Sequence, residues 1–168
     1  KVEDIVPSLF EKSTYPLMVL LDRVTDVRNF GAICRTAECT GVDAVIVPEK
    51  GGAMVNGDAV KASAGALNRI ILCREYNLKE TISYLQNSGF LIAGCTEKAE
   101  KNCFDVNLNQ PVCLIMGSEE DGISPEYLKR CDVLIKVPIS GKTASLNVSV
   151  ATGMILYEVT RQRLSDGK

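Results

Sequence analysis

The chain contains no histidine in 168 residues. That absence removes the commonest general base and every Ser–His or Cys–His nucleophile pair. Chemistry must rest on carboxylates, Lys, Arg, Tyr or polar backbone groups. Zinc loses its usual nitrogen ligand too, and the seven cysteines, at 34, 39, 73, 95, 103, 113 and 131, include no Cys-x-x-Cys. No metal is expected. The odd cysteine count argues against a disulfide framework. Several lie in apolar runs, "IILC", "LIAGC" and "PVCLIM", where a free thiol behaves as a small buried hydrophobe. A reducing, cytoplasmic setting is expected.

Positive charge is not in excess either: 19 Lys+Arg against 21 Asp+Glu give a net charge of −2 and a pI near 5.3. A nucleic-acid partner would have to meet a local basic patch. Long hydrophobic runs are also missing. "LMVLL" at 17–21 is far too short to cross a bilayer, and no charged-then-apolar leader precedes it, so neither a membrane span nor a signal peptide is expected. The first residue is Lys1 rather than Met, which points to trimming upstream and leaves room for an N-terminal domain outside this sequence. With 46% hydrophobic residues, the length suits one domain with a real core.

What is present is an alternation of short apolar runs and helical stretches. Strands are expected at 16–21, 43–48, 69–73, 90–95, 111–116 and 132–138. A helix over 30–40 takes Asn29 as N-cap and Gly41 as stop, and a helix over 78–88 follows Asn77 with Glu80 completing a capping box. Ser124-Pro125-Glu126 has the N-cap, N1 and N2 chemistry of a short helix. Val148, Ala151, Ile155 and Val159 share one face of a closing helix, about 147–163. Residues 1–15 read as a linker or arm, 16–168 as one domain, and 48–66 as a surface loop with a short helix. Uninterrupted apolar strands with helices between them imply an α/β fold with a mostly parallel sheet covered on both faces. Ligands of such sheets bind at the carboxyl ends of the strands, where this chain places "DRVTDVRN", "GCTEK", "GSEEDGIS" and "PISGKTASLN". No Gly-x-Gly-x-x-Gly follows the first strand. Gly141-Lys142-Thr143 is no phosphate loop, because the glycine required five positions earlier is Lys136.

Three segments, "NFGAICRTAECTGVDAVIVP" (29–48), "IMGSEEDGIS" (115–124) and "VPISGKTASLNVSVATG" (137–153), resemble in order and spacing the three motifs of the SpoU family. These are the TrmH-like RNA 2′-O-ribose methyltransferases of the SPOUT superfamily. The similarity runs from about Leu17 to Arg163. It implies a C-terminal deep trefoil knot, S-adenosylmethionine bent among the knot loops, and a homodimer with active sites at the interface. The branch most resembled methylates a guanosine ribose in 23S ribosomal RNA. Transfer RNA is the alternative substrate, and a non-catalytic RNA-binding or ribosome-assembly module is the alternative from another class.

The resemblance assigns roles to residues with simpler readings of their own. Arg35 reads alone as a solvated helix arginine beside Glu38; the motif makes it the leading catalytic residue, either as a base toward the ribose 2′-OH, as the resemblance implies, or as a cation that holds the adjacent phosphate and stabilises a developing alkoxide. Asn29 is a helix cap or a substrate contact. Glu119 belongs to an acidic turn, and its carboxylate is expected to pair with Arg35 or to orient the nucleophile. Ser145 and Asn147 open the last helix, where caps are expected, and belong to the family's active site; Ser149 is a weaker candidate. Backbone groups of Gly117, Val137, Ile139 and Leu146 are expected to meet the cofactor, with Gly94, Cys95 and Thr96 lining the same pocket. Arg23, Arg28, Lys61, Arg69 and Lys142 are the residues expected to face RNA phosphates.

Overall fold

The apolar runs form the middle of a parallel sheet because only there can both faces of a strand be dry. The structure is a computed structural model that describes residues 1–166, so the last two residues of the expected domain lie outside it. Among the described residues the strands are β1 (Leu17–Asp22), β2 (Ala44–Pro48), β3 (Ile71–Glu75), β4 (Leu91–Cys95), β5 (Lys101–Asn102), β6 (Val112–Gly117) and β7 (Val133–Lys136). They lie in the order β3-β2-β1-β6-β4-β7-β5, every pairing parallel. The helices are α1 (Val2–Lys12), α2 (Val27–Cys39), α3 (Gly57–Ala62), α4 (Leu78–Asn87), α5 (Pro125–Leu128) and α6 (Val148–Ser165).

Strands β1 and β6 are buried at every residue and pair from Leu17↔Val112 to Asp22↔Gly117. Their side chains alternate between two cores, as the pleat requires. Leu17, Val19, Leu21, Val112, Leu114 and Met116 pack with Phe30, Ile33 and Ala37 of α2 and with Val148, Ile155 and Val159 of α6. Met18, Leu20, Cys113 and Ile115 pack with Val2, Val6 and Leu9 of α1 and Ile82 and Leu85 of α4. Each such large side chain contributes roughly 1.5–3 kcal/mol by leaving water.

The expected linker or arm is therefore a helix. Val2, Val6 and Leu9 form a buried stripe at helical spacing, and the Val2 N–H donates to Glu75 Oε1 at 2.7 Å. Pro7 inside the helix hides this pattern from a reading that treats proline as a breaker. Helix α2 starts earlier than expected, with Asp26 and not Asn29 as its N-cap; Asp26 accepts from the Asn29 N–H at 2.8 Å. Asn77 does cap α4, through the Lys79 N–H, without a return bond from Glu80. The 48–66 loop carries α3, capped by Asn56.

Two features of the chain's second half place the site. Strand β7 lies between β4 and β5, although β4 and β5 are joined directly in sequence. Helix α6 then runs back beneath the segment preceding β6, where Gln162 donates to the Val106 carbonyl and accepts from the Leu108 N–H. No described helix is long and apolar enough to cross a membrane.

Candidate active site

The carboxyl ends of β1, β4, β6 and β7 face one another's loops, and the 118–122 turn after β6 is the piece between them. Gly122 donates to the Ser118 carbonyl at 2.9 Å, and its φ of +66° closes the turn. The turn folds directly onto Gly117: a Cβ there would lie 2.1 Å from the Gly122 carbonyl carbon. The Gly117 backbone is one of those expected to meet the cofactor. The nearest approach is the protein's own backbone, and the residue also lines a cavity.

Asn147 is the junction of the motif residues. Its Nδ2 donates to Glu119 Oε1 at 2.6 Å and to Asn29 Oδ1 at 3.0 Å. Its Oδ1 accepts from the N–H groups of Ser149 and Val150 and from the Ser149 hydroxyl, which caps α6. Glu119 Oε1 also accepts from the Val148 N–H at 3.2 Å. One amide thus ties α2, the 118–122 turn and the start of α6. The position after an extended turn fixes this geometry, since N-cap side chains point back at the first free amides of the helix.

Three cavities adjoin this junction. One of about 160 Å³ is lined by Cys95, Thr96, Met116, Gly117, the 118–122 turn, Ser145, Leu146 and Ala151. A second, of about 70 Å³, shares its Cys95, Thr96, Ser145 and Leu146 and adds Val137 and Ile139. A third, of about 620 Å³, lies across the turn and is lined by Arg23, Asp26, Asn29, Glu119, Glu120 and Asp121. Glu119 lines the first and third. Six of the seven residues expected in the cofactor pocket line the first two cavities. Gly94 does not. It alternates with Cys95 on β4, and a Cβ there would meet Cys131 Sγ and Leu134 instead.

Burial pushes the Cys95 thiol well above its ordinary range, so it is a neutral wall of the cavity rather than a nucleophile. Loop residues 138–147 are exposed, and among the described residues the N–H and C=O groups of 138–146 make no backbone–backbone hydrogen bonds. That leaves a row of donors and acceptors beside the apolar walls of Val137, Leu146 and Ala151.

Arg35 is exposed on α2 and lines none of these cavities. Its expected pairing with Glu119 is not made; Glu119 is held by Asn147 and Val148, and Arg35 stands two turns further along α2. Nor does it pair with Glu38, which bonds Arg69 at 3.3 Å. Arg28, Lys61 and Lys142 are exposed. Arg23 is turned onto the 118–122 turn, where its Nη2 donates to the Gly122 carbonyl at 3.1 Å. Asp22, absent from the expected site residues, is only 3% exposed at the end of β1, and an acid closing an apolar run is its visible signal in the sequence.

This arrangement has close counterparts. The SpoU rRNA Methylase family profile matches residues 16–157. The chain is 40% identical over 161 residues to the 23S rRNA (guanosine-2′-O-)-methyltransferase of Yersinia pestis, and 41% identical over 162 residues to that of Pseudomonas aeruginosa. It is covered to 96% in both and spans 65% of each relative's length. The SpoU methyltransferase AviRb from Streptomyces viridochromogenes, solved with the cofactor AdoMet, matches at a TM-score of 0.84 and 31% identity over 91% of this chain and 60% of its own. The A. aeolicus TrmH/SpoU tRNA modifying enzyme matches at 0.83 and 33% over 99% of this chain and 86% of its own. With its three motifs meeting at Asn147 and nearly the whole domain matched, the chain belongs to the SpoU rRNA methylase family.

Proposed function

We propose that this chain transfers a methyl group from S-adenosylmethionine to a ribose 2′-OH of RNA, the target being a guanosine of 23S ribosomal RNA. The observation that carries the reading is the Asn29–Asn147–Glu119 junction on the wall between the cleft lined by Cys95, Thr96 and Leu146 and a larger cavity. The names of the curated relatives support the ribosomal substrate. A transfer RNA substrate is the second reading, favoured by the A. aeolicus tRNA modifying enzyme, most of whose length this chain covers.

The residues present fit the cofactor. The unpaired backbone groups of 138–146 suit an adenine edge and a ribose, with Val137, Ile139 and Leu146 as apolar walls. Glu97, Glu119, Glu120 and Asp121 against Lys98 make the first cavity acidic, which favours a cationic ligand. When bound, S-adenosylmethionine supplies an electrophilic methyl carbon on a sulfonium, and the ribose oxygen that takes it loses a proton. Glu119 Oε2 has no partner among the described residues and is left to accept from that hydroxyl, while Asn147 holds Oε1 in place. Arg35 holds the adjacent phosphate and stabilises developing negative charge on the oxygen.

Because Arg35 lies outside its own chain's cavities, it serves the cleft of a second copy in a homodimer. Val150, Met154 and Tyr157, exposed at helical spacing on α6, supply an apolar face for that contact; the opposite stripe of Val148, Ile155 and Val159 is spent on the chain's own core. The insertion of β7 between β4 and β5 supports a knotted C-terminal segment. Arg28, Lys61 and Lys142 contribute phosphate contacts, and the site works in the cytoplasm.

Calorimetry with S-adenosylmethionine and its demethylated product tests the cofactor assignment; roughly stoichiometric binding is expected. Mapping 2′-O-methyl marks after deletion of the gene tests the substrate. A mark lost from transfer RNA alone would replace the ribosomal assignment. Cofactor binding without transfer to any RNA would favour the non-catalytic module.

A further inference from the structure

We propose that Asp22 and Arg23 are positioning residues that latch the 118–122 turn, and so Glu119, across the two cavities, and that Arg23 acts through this turn rather than on RNA. Asp22 sits at the last position of β1, beside Gly117 of β6, with its carboxylate buried. Its Oδ2 accepts from both the N–H and the hydroxyl of Ser124, each at 2.7 Å. Ser124 is the N-cap of α5, yet its side chain makes no capping bond; the hydroxyl is diverted to Asp22. This holds the far end of the turn.

Arg23 holds the same end of the turn two residues earlier, at Asp121 and Gly122. Its backbone sits at a φ of +58°, a left-handed conformation that residues with a side chain rarely adopt. From there Nη2 donates to the Gly122 carbonyl at 3.1 Å, Nη1 lies 3.8 Å from Asp121, and Nε lies 3.6 Å from Asp22 Oδ1. The strained residue thus spans the turn that buried Asp22 anchors. Since a Cβ at position 117 has no room beneath it, the turn is fixed from below by Gly117 and from the side by this pair. Glu119, within the turn, has its position set by both.

The inference rests on the methyl-transfer reading for its kinetic consequences but not for its geometry, and the test separates the two. Amide hydrogen exchange on the full chain reads the latch without activity. Arg23→Ala, Arg23→Lys and Ser124→Ala should each speed exchange of the Gly122 or Ser124 N–H. In kinetics, Arg23→Lys keeps a charge for a phosphate but not the planar fork, so it should lose turnover as Arg23→Ala does, with the salt dependence of RNA binding unchanged. Arg23→Ala should lower kcat/KM by about tenfold in the native chain and have little further effect in a Glu119→Gln background, as expected for residues acting through one contact network. Unchanged exchange, additive losses, or a salt slope reduced by about one with Arg23→Lys near native would overturn the proposal. If the native chain transfers no methyl group, the proposed function fails while the exchange result still decides the latch.

Discussion

The side-chain amide of Asn147 donates to Glu119 Oε1 at 2.6 Å while its carbonyl caps α6. Fold and site therefore share one side chain, and substitutions can separate the two roles. Asn147→Ala removes both and should cost about 0.5–2 kcal/mol of stability together with most turnover. Asn147→Ser keeps a capping oxygen but is too short to hold Glu119. It should melt near the native protein and still lose turnover, as thermal unfolding and methyl-transfer assays would read.

Gly117→Ala tests the packing of the turn. The added methyl would fall 2.1 Å from the Gly122 carbonyl carbon and 2.3 Å from the Ile123 nitrogen, so the turn must move. S-adenosylmethionine affinity should fall by tenfold or more in calorimetry, on the scale of an overpacked site costing about 1–3 kcal/mol. Native affinity would show that the turn is not a wall of the cofactor cleft.

The α6 surface tests the dimer. Met154→Glu or Tyr157→Arg places charge in the exposed apolar face and leaves the buried stripe untouched. Light scattering should show a dimer for the native chain and monomers for both variants, with unchanged helical content. A native monomer at high concentration would remove the basis for a shared site.

Much of this was legible in the sequence, for identifiable reasons. The central strands were legible because strands buried on both faces need unbroken apolar runs, as "LMVLL" and "VCLIM" show. Helix α1 was not, because Pro7 interrupts a stripe whose partners, Ile82 and Leu85, are some 75 residues away in the chain. The Asn29 cap was misplaced by three residues because Asp26 has equal capping chemistry, and only the observed helix start chooses between them. Motif order led to the six residues that line the first two cavities, whereas Gly94 lines neither, because its facing depends on the pleat register. The role of Asp22 is long-range, joining positions 22 and 124, and no local pattern carries such a pairing.

The most direct measurement of the central claim is transfer of labelled methyl from S-adenosylmethionine to unmodified 23S ribosomal RNA, compared between the native chain and Arg35→Ala. The account predicts label on a single guanosine ribose. Arg35→Ala should bind S-adenosylmethionine normally but turn over about a hundredfold more slowly, the scale of losing one preorganised donor to a developing anion. Arg35→Lys should recover only part of that loss. Mixing Arg35→Ala with Glu119→Gln chains should restore activity that neither has alone, because one of the two shared sites is then intact. Near-native turnover by Arg35→Ala would contradict the account.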